Sequence, residues 1–141
     1  MAAAVPATAT RLGWAGLLPF VAAPLALLLL PGLASWVGPS LLAYALTILC
    51  FLSGAWWGIA LLRRRAGVLV ASNAMVIVAC LGVVFLPLRA ALCLLAGLLL
   101  LSVVIERSHG MFSPQPAYYA TLRLRLSLVA GVSLILSAAL L

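Results

Sequence analysis

The sequence predicts an all-α fold, a polytopic bundle of five transmembrane helices, on three observations. Apolar residues make up 68% of the 141-residue chain and charged residues only 6%, against about 25% charged in ordinary soluble domains. Mean hydropathy is +1.39, so there is too little polar surface to cover a water-soluble globule. Apolar runs of about 20 residues recur along the chain, each long enough to cross about 30 Å of hydrocarbon as a helix.

Taken in order, residues 1–11 are small and nearly uncharged and are expected to form a disordered N-terminal tail. Residues 12–141 are expected to form a single transmembrane domain. The first span, 12–30, carries Gly13, Gly16, Pro19 and Pro24 in the string LGWAGLLPFVAAP. Each proline lacks an amide donor and crowds the carbonyl four residues back, so the carbonyls of Ala15 and Phe20 need other partners and a kinked or broken helix is expected. A competing reading makes this span a signal peptide cleaved near Gly32-Leu33-Ala34, but its apolar run exceeds the usual core of about 7–15 residues. The link Pro31–Pro39 is rich in breakers and free of charge. The second span is expected over 41–62, the third over 66–85 and the fourth over 87–105. The one longer connection runs from Glu106 to about Thr121, holds the only acid and the only histidine, and leads into the fifth span, 122–141.

Orientation rests on arginine, because the chain has no lysine. With antiparallel neighbours, one side carries Arg11, Arg63, Arg64, Arg65, Arg107, Arg123 and Arg125, and the other carries only Arg89. The flanks are short, where the positive-inside rule holds, so the N-terminus is expected in the cytoplasm and the C-terminus outside. The net charge of +7 is read as a topology signal and as contact of Arg63, Arg64, Arg65, Arg107, Arg123 and Arg125 with anionic lipid headgroups. Nucleic acid is not expected as a partner, since no folded basic face interleaved with aromatics accompanies the arginines. Arg123 and Arg125, near the end of a span, are expected to snorkel outward.

The string CFLSGAWWGIALLRRR in the second span places two tryptophans between two glycines. Gly54 and Gly58 share a helix face and are expected to let a neighbouring backbone come close, with Trp56 and Trp57 anchoring the helix near the interface. The alternative makes Trp56 and Trp57 a wall for a lipid-like or quinone-like ligand. In the fifth span Ser127 and Gly131 have small-residue spacing suited to tight packing, against the second span or another copy of the chain. Asn73, the most polar residue inside a span, is expected to bond between helices. Cys50, Cys80 and Cys93 show neither paired spacing nor a nearby histidine, so neither a disulfide framework, a metal site nor a cofactor is expected. Glu106 and His109 with the arginines could stage catalysis on a headgroup. The bland reading, a solvated turn with a local Glu106–Arg pair, is favoured, and the chain is not expected to be an enzyme.

The string Leu12-Gly13-Trp14-Ala15-Gly16-Leu17-Leu18-Pro19-Phe20, the Gly54-Ala55-Trp56-Trp57-Gly58 core and Tyr119 with Leu122 to Ser127 resemble domain of unknown function 3429. That family includes transmembrane protein 69-like proteins of mitochondria and small proteobacterial proteins. In its pattern the residue before Trp57 is often polar, whereas here it is Trp56. The resemblance implies an integral inner-membrane protein, bacterial or mitochondrial, and carries no catalytic residue over. The expected function is a structural or assembly factor packing against membrane lipids and another membrane protein or a second copy. The alternative is a ligand binder or small transporter.

Overall fold

A computed structural model describes residues 4–113 and 116–141. Among them there are six α-helices and no strand: α1 (Ala4–Gly16), α2 (Leu18–Leu29), α3 (Ala34–Leu62), α4 (Ala66–Phe85), α5 (Leu88–Ser108) and α6 (Ala117–Leu140). With α1 and α2 joined as one crossing, five segments are long and apolar enough to span a membrane.

The helices exceed the expected spans at several ends. Residues 4–11, expected to be without regular structure, form the start of α1. The chain breaks at Leu17, whose amide turns back to the Trp14 carbonyl at 3.1 Å. Pro19 lies in the first turn of α2, where a missing donor costs little, and Pro24 lies within it. The freed carbonyl met by a cross-helix donor is that of Gly16, one residue from the expected Ala15: Tyr44 Oη donates to it at 2.9 Å. Only Pro31–Leu33 of the expected link between the first two spans stays outside an α-helix, as a 3₁₀ turn. The α-helix resumes at Ala34 and accommodates Pro39 in its second turn.

The tight α3–α4 turn is built by Arg63–Arg65. The Arg65 amide donates to the Ala60 carbonyl at 2.9 Å and the Arg64 amide to that of Leu61 at 3.3 Å, the two bonds of a Schellman closure. Its left-handed position, usually glycine, is held by Arg64 at φ 52°. Leu86 and Pro87 are extended between α4 and α5.

The packing is a ring in which α2 contacts α3 and α6, α4 contacts α3 and α5, and α3 also meets α5 through the middle. The most extensive pair is α5 with α6, so the partner left open for the fifth span is α5. Phe20, Leu49, Leu92, Leu95, Leu99 and Leu134 form the fully buried centre. The outward faces carry Trp36, Phe51, Leu62, Phe85 and Val132, which suits hydrocarbon as solvent. Close helix approach uses Gly82 against Leu94, Gly38 against Leu88 and Leu141, and Gly131 against Leu100, where an added Cβ would stand 3.5 Å from the leucine side chain.

Candidate functional site

The polar interior is concentrated at the arginine-rich end of α3, α5 and α6. The last turn of α5 carries Glu106, 8% exposed, and the second turn of α6 carries Arg123, 7% exposed. Their side chains pair at 3.2 Å between Arg123 Nε and Glu106 Oε2. Trp56 Nε1 donates to Glu106 Oε1 at 2.8 Å. One terminal nitrogen of Arg123 donates to Ser102 Oγ at 2.7 Å and the other makes a short bond to Ser127 Oγ. Ser102 Oγ in turn donates to the Leu99 carbonyl at 2.6 Å. One carboxylate, one guanidinium, an indole and two hydroxyls therefore form a closed network across three helices. Phe112 seals it from the loop side, with its ring 5.3 Å from that of Trp56.

This arrangement corrects several expectations. Glu106 is helical and buried, not part of a solvated turn, because α5 runs three residues beyond its expected end and rotates the carboxylate inward. Its partner is Arg123, 17 residues away in the chain, so the pair is not local. Arg123 does not snorkel, whereas Arg125, two positions on and about 200° around the helix, is exposed. Arg63, Arg64, Arg65 and Arg107 are exposed as expected, and Arg63 also donates to the Ser113 carbonyl at 2.8 Å. Trp56 is 2% exposed and belongs to the core, so it is neither an interfacial anchor nor a wall open to a ligand. Trp57, 42% exposed, faces outward as its neighbour turns in.

Gly54 and Gly58 are not packing positions within the chain: a Cβ on either would meet nothing within 4 Å. They lie opposite the buried face of α3 formed by Leu49, Ser53, Trp56 and Ala60. Gly131 faces α5 and packs on Leu100, whereas Ser127 is buried and accepts from Arg123 one turn earlier on its own helix. The Asn73 amide donates to the Leu69 carbonyl of its own helix at 2.8 Å, not between helices. The Ser53 and Ser137 hydroxyls are buried and have no hydrogen-bond partner among the described residues. His109 lies at the C-terminal end of α5, its ring 6.2 Å from that of Phe112.

Sequence reasoning missed the network, although its signals were present. Arg123 and Arg125 cannot face the same way, and Ser102–Glu106 and Arg123–Ser127 each have the four-residue spacing that shares a helix face.

An interior salt bridge between two candidate membrane-spanning helices is costly to build and is the usual mark of a constrained or functional position. Here every polar group of the pair points to another side chain, so the cluster holds three helices in one register.

No curated protein and no solved structure matches the chain. The family described as Protein of unknown function (DUF3429) matches residues 5–139, nearly the whole chain. With the five candidate spans and the resembling strings at Leu12–Phe20, Gly54–Gly58 and Tyr119–Ser127 inside that match, the chain belongs to the DUF3429 family.

Proposed function

We propose that the protein is a small accessory or assembly factor of the bacterial inner membrane, or of the mitochondrial one in a eukaryote, and not an enzyme. The observation that carries this reading is the outer face of α3. Gly54 and Gly58 lie on it, and among the described residues a Cβ added at either would meet no neighbouring side chain or other helix within 4 Å, while the interior is closed around the Glu106–Arg123 pair. Glycines four apart on a lipid-facing helix permit close approach of a second backbone. A partner helix from another membrane protein would fill that notch, with Phe51 and Trp57 beside it. The non-enzymatic reading is supported by the engagement of Glu106 and Arg123 with each other and with Trp56, Ser102 and Ser127.

The same reading places the N-terminus in the cytoplasm and the C-terminus outside, because seven arginines lie on one side and Arg89 on the other. The test is affinity purification from native membranes, comparing the natural chain with Gly54→Leu and Gly58→Leu. A partner lost from both variants, with the melting temperature retained, supports the proposal. Retention of the same partner by both variants refutes it.

A further inference from the structure

Between α2 and α3, at the end of the bundle opposite the arginine-rich side, lies an open groove of about 420 Å³. Its floor is made by small residues, Ala22, Ala23 and Ala26, and its α3 wall by Trp36, Ser40 and Tyr44. From Trp36 to Tyr44 is eight residues, or about 12 Å along a helix at about 1.5 Å per residue. The groove thus runs along the helices, and its length is within the roughly 15 Å of hydrocarbon that one leaflet supplies, half of about 30 Å. The end nearest the Pro31–Leu33 turn carries the indole of Trp36, 77% exposed, and the hydroxyl of Ser40. Amphipathic groups of this kind suit headgroup depth. The deep end is apolar apart from Tyr44, whose hydroxyl donates to Gly16.

We infer that this groove is a binding site for one acyl chain of a phospholipid from the leaflet on the α2–α3 turn side. A groove along the helices suits an extended acyl chain, and Trp36 and Ser40 offer polar groups at the end nearest the α2–α3 turn. A quinone ring at the deep end would compete with Gly16 for the Tyr44 proton. Leaving bulk hydrocarbon for the groove gives no hydrophobic gain, so retention depends on contact with a wall that holds its shape. That wall is braced: Tyr44 clamps the Gly16 carbonyl, and the Phe20 and Tyr44 rings meet edge to face at 5.3 Å. The inference stands apart from the assembly reading, since neither Gly54 nor Gly58 lines the groove.

The test is native mass spectrometry of the purified chain after extensive detergent washing. The chain is supplied with phosphatidylglycerol and phosphatidylethanolamine of defined acyl length. The expected result is one phospholipid retained per chain, falling at least tenfold in Ala22→Leu/Ala26→Leu with its melting temperature unchanged. The single Ala22→Leu change, at an exposed position, gives a partial loss and serves if the double variant does not fold. No retained lipid, retention that survives filling of the groove in a folded variant, or a retained quinone in its place overturns the proposal.

Discussion

Replacing Glu106 by Gln should destabilise the protein severely, although the change removes no more than a charge. The Arg123 guanidinium, 7% exposed, would keep Ser102 and Ser127 but lose the anion at 3.2 Å that offsets its burial. Breaking one partner of a buried pair costs about 3–5 kcal/mol. Arg123→Met, which keeps much of the side-chain length, leaves Glu106 with Trp56 as its remaining bonded neighbour and should cost a similar amount. The double variant Glu106→Gln/Arg123→Met removes both charges, so neither is left buried without its counter-ion, the main cost of breaking a buried pair. It should therefore recover to within about 1–2 kcal/mol of the natural chain, with a coupling of about 3 kcal/mol or more. The assay is equilibrium unfolding of all four proteins in one lipid-detergent mixture, read by circular dichroism. A Glu106→Gln cost within about 0.5 kcal/mol, the range of ordinary surface changes, would refute the reasoning. So would costs that simply add in the double variant.

The remaining predictions separate interior from exterior positions. Trp56→Phe removes a hydrogen bond to a carboxylate and should cost about 1.5–3 kcal/mol, while Trp57→Phe should stay within about 0.5 kcal/mol; the same unfolding assay distinguishes them. Gly82→Leu drives a side chain into Leu94 and should cost about 1–3 kcal/mol or more, whereas Gly54→Leu should leave the fold's stability nearly unchanged. Arg64→Gly should stabilise by about 0.5–1 kcal/mol: the left-handed turn position is relieved of about 1–2 kcal/mol, less the added freedom of glycine in the unfolded chain. For topology, a C-terminal fluorescent reporter that matures only in the cytoplasm should stay dark, and the same reporter on the N-terminus should fluoresce.

Span number and helical class were legible because hydrocarbon thickness imposes a length that composition reveals directly. Helix ends were less legible. Pro39 reads as a breaker, yet a proline in the second turn forfeits few bonds, and α3 begins at Ala34. The interior site was hidden by one assumption, that a charge near a span end turns toward water. Arg125 does so, but Arg123 does not, because Glu106, Ser102 and Ser127 await it inside. A pairing between α5 and α6 is a tertiary fact, and spacing within one helix gives only the face. The glycine motif in α3 was legible as a notch but not as an outward one, since the spacing of Gly54 and Gly58 resembles that of any packed pair.

The most direct test of the central claim is photo-crosslinking in native membranes, with a photoreactive residue placed in turn at Thr47, Gly54 and Leu92. The account predicts a discrete protein adduct from Thr47 and Gly54 on the outer face of α3 and none from Leu92, buried in the centre. Lipid adducts alone from the two outer positions would contradict it.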